Sequence, residues 1–211
     1  MKTHFWADPH LSHDGILGIT FRNFPTIEEH NGVVLEELNS RVGDKDRLIV
    51  LGDVCWRAEE TWMSQIRCKN RYLIVGNHDK AKLGKMFMTA EDVAEFKIQG
   101  HKIFCSHYPH AYWPASHHGS LHLYGHTHAQ RERTLDDAFP GRRAMDVGVD
   151  NAFRLFGQYR PFTEDEVIAI LMARPGHDQI AFYEWFQAKR KEMGTVEFNR
   201  YYMNEPWTPP Q

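Results

Sequence analysis

The segment RYLIVGNHD, residues 71–79, gives the clearest indication of the fold class of this chain. Its first five residues include a short apolar run that stops at a glycine, which predicts a buried β-strand over 71–75. Asn77, His78 and Asp79 then place three polar side chains in a row directly after that strand. Packing is a poor explanation for such a row, whereas a functional site at the end of a strand accounts for it.

Similar strand-and-turn units occur on both sides of this segment. Short apolar strands are predicted over 2–7, 47–51, 102–106 and 121–124, and each stops at a polar turn. Helices are predicted between several strands. Further predicted elements are helix 26–42 with a capping box at its start, helix 58–67, a hairpin of 93–99 with 102–106, a strand over 143–149, and helices beginning near 163 and 178. This alternation favours an α/β sheet with a site at the strand ends.

Length, charge and cysteine content restrict the class of protein. The 211 residues suffice for one α/β domain with a small appendage. A formal net charge of −3 disfavours sequence-independent nucleic-acid binding, although it permits a nucleotide or a nucleic-acid end. Three widely separated cysteines indicate a reducing compartment. Because neither a signal peptide nor a membrane span is evident, we expect a soluble, cytoplasmic protein with no membrane partner.

Histidine is unusually abundant, with fourteen in the chain and eight of them between His101 and His128. Such a tract is compatible with a polar loop, a metal site or both, so the spacing must decide. Five turns at strand ends carry side chains that bind metals, and their combination favours a metal site. These turns are Asp8-Pro9-His10, Gly52-Asp53, Gly76-Asn77-His78-Asp79, His107, and Gly125-His126-Thr127-His128.

The side-chain types in these turns restrict the metals. Oxygen and imidazole ligands suit Mn²⁺, Fe, Zn²⁺ or Ni²⁺, and none of the three cysteines lies in the turns. The turns offer more ligands than one ion needs, so two divalent ions with a bridging carboxylate fit the count. Two ions ~3.5–4 Å apart can hold a hydroxide nucleophile and stabilise an in-line displacement at phosphorus.

In their order, the five turns resemble the motifs of the calcineurin-like metallophosphoesterase family, and the resemblance covers residues 4–150. More narrowly, the chain is similar to the small bacterial and phage phosphoesterases of that family. The shared features are a D-x-H-x-x-H turn ending at His13, an FRNF segment containing Arg22, and VGVD at 147–150. The resemblance implies a four-layer α/β/β/α sandwich over 1–174, with the helix and tail of 175–211 as an appendage packed on it.

The resemblance also implies roles for individual residues. Seven would bind the ions: Asp8, His10 and His128 one ion, Asn77, His107 and His126 the other, and Asp53 both. His78 would contact the phosphate and protonate the leaving oxygen, and Asp79 would orient or tune His78. Asn77 would also face the substrate. His13 and Arg22 are further candidate substrate contacts, the alternatives being a loop histidine and a solvated surface arginine.

Several side chains near the histidine tract leave two interpretations open. Tyr108, Tyr112 and Trp113 could stack on a nucleobase or form an aromatic packing cluster. The remaining histidines of the tract could line a pocket or be exposed, and His122 could alternate within a strand. Helix 178–193 could dock on its own chain or on a second subunit. Residues 205–210 are predicted to form an irregular tail.

The expected function is hydrolysis of a phosphomonoester or phosphodiester bond in a small or nucleotide-like substrate, by a hydroxide held between the two ions. A nuclease or nucleic-acid end phosphatase is the first alternative, which the acidic balance disfavours. The second is a non-catalytic metal-binding scaffold. The complete set of candidate ligands, together with His78, argues against the scaffold.

Overall fold

The computed structural model describes residues 1–174, 176, 178–195 and 197, and the predicted tail at 205–210 lies outside them. Its strands are β1 (Thr3–Trp6), β2 (Arg47–Val50), β3 (Arg71–Ile74), β4 (Ala90–Glu91), β5 (Val93–Ile98), β6 (His101–Ser106), β7 (Leu121–Tyr124), β8 (Ala144–Asp146) and β9 (Phe162–Thr163). Its helices are α1 (Ile16–Ile19), α2 (Ile27–Arg41), α3 (Glu59–Gln65), α4 (Ala81–Gly84), α5 (Glu132–Ala138), α6 (Val149–Phe156), α7 (Glu164–Met172) and α8 (Asp178–Met193).

The strands form two sheets. The first has the order β4-β3-β2-β1-β9, in which only β9 is antiparallel to its neighbour. The second has the order β5-β6-β7-β8, in which only β5 is antiparallel to its neighbour. Because neighbouring parallel strands point the same way, β1, β2 and β3 end at one sheet edge, and β6 and β7 end at one edge of the other. The predicted polar turns follow these five strands.

Apolar side chains between the sheets form the central core. Phe5 and Ile49 of the first sheet pack with Ile103 and Leu123 of the second. Along the strands, Ile103 and Cys105 of β6 and Leu121 and Leu123 of β7 share this core, which is the period of two expected for strands with one face buried against another sheet. The sheets therefore pack face to face as a sandwich.

The outer faces of both sheets are covered by helices and loops. Trp6 and Val50 of the first sheet pack with Val34 and Leu38 of α2. On the second sheet, a smaller cluster combines Phe104, Tyr124 and Ala144 with Trp113 of the following loop and Leu135 of α5. The predicted α/β sandwich is thereby confirmed.

Local sequence signals account for most of the element boundaries. The hydroxyl of Thr26 accepts a hydrogen bond from the backbone N–H of Glu29 at 3.2 Å, which caps α2 where a helix start is predicted. Thr163 and Glu166 form a complete capping box at the start of α7. The predicted hairpin is also present, with β5 and β6 paired from Val93 and Ser106 onward.

The strand predicted over 143–149 is wrong in its second half. It ends at Asp146, whose carboxylate accepts a hydrogen bond from the backbone N–H of Gly148 at 2.6 Å. The chain then crosses to the first sheet, where the N–H of Val149 donates to the carbonyl of Ala7 at 3.0 Å. Helix α6 begins at this junction. Hydrogen bonding to Ala7 of the first sheet thus replaces the continuation of β8 that the apolar pattern predicts.

Helix α8 has the predicted range, and it lies beside the short 3-10 turn Ser116–His118. The predicted division of the chain near residue 174 stays a prediction. Among the described residues, the helices are too short or too polar to cross a lipid bilayer.

Candidate metal centre

The turns after β1, β2, β3, β6 and β7 converge where the edges of the two sheets meet. The backbone N–H of His126, after β7, donates to Asp8 Oδ2, after β1, at 2.8 Å. Within the convergence are two groups of side chains, in each of which the candidate ligand atoms lie within 4.8 Å of one another. The groups are Asp8, His10 and His128, and Asp53, His107 and His126.

Asp53 belongs to the second group and also faces the first. Its Oδ2 is 3.5 Å from His10 Nε2 in the first group and 3.4 Å from His107 Nε2 in the second. Its Oδ1 accepts a hydrogen bond from the backbone N–H of His78 at 2.9 Å, which fixes the orientation of the carboxylate. One oxygen atom therefore faces ligands of both groups, an arrangement that suits a carboxylate bridging two ions through a single oxygen.

Asn77 and His107 complete the second group. Asn77 Oδ1 lies 3.0 Å from His107 Nε2. His107 Nδ1 donates to the carbonyl of Leu51 at 2.8 Å, so the other ring nitrogen points into the centre. With Asn77, all seven of the predicted metal-binding side chains are at the site.

Backbone strain is concentrated in these turns. A positive φ costs an L-residue roughly 1–3 kcal/mol, and such strain is typical of functional sites. Five of the seven candidate ligands have it: Asp8 at 54°, His10 at 51°, Asp53 at 54°, His126 at 66° and His128 at 49°. The fold thus holds the ligand-bearing turns in a backbone conformation that is uncommon for L-residues, although Asp and His tolerate it better than most.

The glycines in the turns allow the candidate ligands to approach the backbone closely. A Cβ atom at Gly125 would lie 2.5 Å from Asp8 Oδ2, and one at Gly76 would lie 2.3 Å from Asp53 Oδ1. No side chain fits in either position without displacing a carboxylate. The glycine in each motif is therefore required by the ligand of a different turn.

The first group contains buried polar atoms that lack hydrogen-bond partners and that a cation could bind. Asp8 Oδ1 and His10 Nε2 are buried, 3.8 Å apart, and without a hydrogen-bond partner among the described residues. Burial raises the pKa of Asp8 to about 7 and lowers the pKa of His10 to about 2. Unpartnered buried polar atoms are costly, and a divalent ion between them would remove that cost. The residues present therefore fit a metal ion.

The second group has paired charges. Although burial alone would raise the pKa of Asp53, the neighbouring imidazole of His107 lowers it to about 2. Burial would likewise lower the pKa of His107, but the carboxylates of Asp53 and Asp8 raise it to about 9. A divalent ion would replace the proton on this imidazole, because metal ligands bind in their deprotonated form.

Arg22 supports the first group from behind. Its buried guanidinium donates to Asp150 through Nε at 2.8 Å and Nη2 at 2.6 Å, and Asp150 Oδ2 accepts from His128 Nδ1 at 2.7 Å. The remaining N–H groups reach the carbonyls of Pro9 and Asp8 and the ring of His30.

These contacts account for all five N–H donors of the Arg22 side chain. None remains for a phosphate, so Arg22 is a positioning residue and not the predicted substrate contact. It is not a solvated surface arginine either, because its guanidinium is buried. The sequence contains the carboxylate that pairs with Arg22, which is Asp150 of the VGVD segment.

Asp79 also differs from its predicted role. Its Oδ2 accepts hydrogen bonds from the backbone N–H groups of Asp53 at 2.9 Å and Gly76 at 2.8 Å, and its Oδ1 accepts from that of Val54 at 3.0 Å. These bonds occupy both oxygens with backbone donors of two turns. Asp79 therefore orients Asp53, and its predicted action on the ring of His78 has no hydrogen bond to support it.

His78 and His13 lie at the rim of the site. Trp56, which belongs to none of the five turn motifs and was not predicted as a site residue, lies beside them. The ring centroid of His78 is 5.6 Å from that of His10 and 5.0 Å from that of Trp56. His13 stacks on Trp56 at 4.3 Å with an interplanar angle of 9°. Trp56 follows Asp53 by three residues, and that proximity was the only signal.

The other aromatic and histidine candidates separate into two sets. Tyr108 is exposed beside the second group, with its ring 4.5 Å from that of His126. Trp113 is buried in the outer cluster of the second sheet, as the packing interpretation predicts. His122 is buried within β7, where it donates to the carbonyl of Phe104 at 3.1 Å.

Known proteins share the fold of this chain. No family model matches the chain. An uncharacterised protein of Methanocaldococcus jannaschii is 25% identical over 174 residues, covering 81% of this chain and 91% of that protein. The solved structure of a protein of unknown function from Aquifex aeolicus is similar with a TM-score of 0.64 and 24% identity, covering 80% of this chain and 98% of that one. The fold is therefore one already seen in nature.

A third similarity is to an archaeal protein whose structure was described as that of a novel phosphodiesterase. It has a TM-score of 0.43 and 16% identity, and it covers 77% of this chain and 99% of that one. This likeness is too distant to indicate an activity.

Proposed function

We propose that this protein is a metal-dependent phosphoesterase of the calcineurin-like type, hydrolysing a phosphomonoester or phosphodiester bond in a small or nucleotide-like substrate. The observation that carries the proposal is Asp53 Oδ2, which lies within 3.5 Å of a ligand nitrogen in each of two groups. Two divalent ions, chosen from Mn²⁺, Fe, Zn²⁺ or Ni²⁺, would supply Lewis acidity and lower the pKa of a bound water.

Protein side chains would orient the substrate and supply a proton. His78 is half-buried at the rim, and its backbone N–H is tied to Asp53, so its ring is held beside the site. We assign it the protonation of the leaving oxygen, and we assign Asn77 and His78 contacts to the phosphate. His13, stacked on Trp56 at the same rim, is a further proposed substrate contact.

The supporting residues keep the ligands in place. Asp79 holds the turn that carries Asp53 through three backbone bonds. Asp150, held by Arg22, fixes the ring of His128 with its other nitrogen toward Asp8. A non-catalytic scaffold would need ion ligands alone, whereas here the imidazole of His78, which belongs to neither ligand group, also lies beside them.

The proposal is tested by substituting the carboxylate that both groups share. After reconstitution with each candidate metal, the wild type should hydrolyse p-nitrophenyl phosphate or bis-p-nitrophenyl phosphate. Asp53→Asn should lower kcat/KM about a thousandfold, because the lost charge stabilisation is worth several kcal/mol. Asp14→Asn is the matched control, since Asp14 is an exposed carboxylate paired with Arg57 at 2.9 Å. Near-normal turnover by Asp53→Asn would reject the proposal.

A further inference from the structure

Two exposed aromatic side chains adjoin the candidate centre, and each adjoins a different side of it. Trp56 is 42% exposed and lies 5.0 Å from the ring of His78, which is itself next to His10 of the first group. Tyr108 is 48% exposed and lies 4.5 Å from the ring of His126 in the second group. Large exposed aromatic side chains are typical of recognition surfaces, because they offer rigid area for stacking.

Both side chains are held in place by their surroundings. Trp56 stacks on His13 at 4.3 Å, and its backbone N–H donates to the carbonyl of Leu11 at 2.9 Å. The ring of Tyr108 packs edge-on against the rings of His126 at 4.5 Å and His107 at 5.1 Å. A ring that binds to either side chain therefore meets a preorganised partner, which reduces the entropy lost on binding.

Charge is a weaker recognition element at this rim than ring stacking. Arg57, the neighbour of Trp56, pairs with Asp14 at 2.9 Å, and Lys80, whose ammonium donates to the Trp56 carbonyl, lies 3.4 Å from Glu59. These cations have acidic partners and do not form a basic track for a nucleic-acid backbone. The aromatic surface is what this rim offers to a ligand.

We infer that Trp56 and Tyr108 form two ring-binding subsites on either side of the scissile phosphate. The inference rests on the proposed function. Because Asp53 Oδ2 faces ligands of both groups, a phosphate bound there has Trp56 near one group and Tyr108 near the other. The substrate class that uses both subsites is a small phosphodiester with an aromatic ring on each arm, such as a dinucleotide.

The position of His78 assigns the arms. The leaving arm extends past the group that protonates it, so its ring binds at Trp56, 5.0 Å from His78. The arm that remains on phosphorus then reaches Tyr108. Hydrolysis adds water across the ester bond: the P–O bond of the leaving arm breaks, the departing oxygen takes a proton, and the phosphate keeps the other arm as a monoester.

The test compares two diesters with the same leaving group. Bis-p-nitrophenyl phosphate carries a ring on both arms, and methyl p-nitrophenyl phosphate carries a ring on the leaving arm alone. The wild type should prefer the first in kcat/KM. Tyr108→Ala should lower that preference about tenfold, whereas Trp56→Ala should lower kcat/KM for both diesters about tenfold and leave the preference unchanged. Trp56→Phe should restore most of the loss, because phenylalanine keeps a stacking face.

Tyr112→Ala is the control for an exposed tyrosine outside the subsites, since its ring lies 6.1 Å from Phe139. It should leave both rates within about twofold, below the contribution of a stacked base. If the wild type hydrolyses both diesters but neither Trp56→Ala nor Tyr108→Ala alters rate or preference, the inference fails while the proposed function stands. If the wild type hydrolyses neither diester nor an aryl monoester, the proposed function fails.

Discussion

Histidine has two contrasting environments in this molecule. At the candidate centre, His10 and His107 lie within 3.5 Å of the Asp53 carboxylate. Behind the second sheet, His122 is surrounded by the rings of Phe104 and Trp113, and its polar partners are a backbone carbonyl and a backbone N–H. The comparison shows that adjacent carboxylates, and not the number of histidines, distinguish a ligand site from a packed core.

The two environments also differ in how the backbone carries the side chain. Candidate ligands sit in turns, and five of them have a positive φ, whereas His122 is in the regular strand β7. Burial raises the pKa of Asp8 to about 7 at the centre, which is the signature of a buried anion without a compensating cation. At His122, burial lowers the pKa of the ring to about 3, so it is neutral and fully bonded.

The largest expected difference between the environments is in activity. His107→Gln removes a candidate ligand and should lower kcat/KM on an aryl phosphoester by about a thousandfold. His122→Gln should keep kcat/KM near the wild-type value, because an amide can donate to the Phe104 carbonyl and accept from the His110 N–H. Steady-state assays of both variants with excess metal make the comparison. Equal losses in the two variants would remove the distinction between ligand and core histidines.

The next effect concerns the support of the first group. Arg22→Met leaves Asp150 buried without its partner, so His128 loses its orientation, and affinity for the first ion should fall about ten- to a hundredfold. The matched control is Arg160→Met, which breaks a buried arginine pair with Glu166 (2.7 Å) that does not contact the candidate ligands. Arg22→Met should lose about 3–5 kcal/mol of unfolding free energy. Arg160→Met should lose less, because the side chain of the unpaired Glu166 is 30% exposed.

Metal titration by calorimetry separates the two variants. Only Arg22→Met should show weakened binding of one ion with the other retained. If Arg160→Met weakens metal binding equally, the loss in Arg22→Met reports general destabilisation and the positioning role is rejected.

The smallest expected effect is the pH dependence of stability due to His122. Its pKa is about 3 in the folded protein, because burial disfavours the charged ring and His110 and Arg142 repel it, and near 6.5 when unfolded. Its contribution is therefore complete above pH 6.5 and is lost as pH falls toward 3. Between pH 7 and pH 5, this amounts to about 2 kcal/mol of unfolding free energy.

Denaturant unfolding of His122→Gln at both pH values checks this contribution. The variant should lose about 2 kcal/mol less than the wild type over the same interval. An identical loss in the two proteins would mean that His122 does not titrate on unfolding in the way that its burial implies.

Much of the fold follows from the sequence, because short-range signals specify it. The capping residues Thr26 and Thr163 begin α2 and α7, and the apolar runs before Gly52, Gly76 and Gly125 form the strands. Helix α5 could not be predicted from apolar periodicity, since its one buried residue is Glu132, which pairs with Arg142 at 3.3 Å. Strand β8 is shorter than its apolar run for a similar reason, because the other sheet competes for its backbone.

The residues of the candidate centre follow from the turn motifs, but the functions of their neighbours do not. Arg22 and Asp150 are 128 residues apart in sequence, and only the folded chain shows that they satisfy each other. Asp79 is next to His78 along the chain, yet its carboxylate points to the backbone of another turn. Trp56 is a candidate ligand contact because its side chain is exposed beside His78. Neither its exposure nor its position next to His78 can be read from the sequence alone.

The proposed function requires two ions held around Asp53. Anomalous scattering from crystals soaked in Mn²⁺ measures their number and position. We expect two peaks ~3.5–4 Å apart, one among Asp8, His10 and His128 and the other among Asn77, His107 and His126, with Asp53 Oδ2 contacting both. A single peak, or two peaks that do not share Asp53, would rule out the proposed two-ion centre.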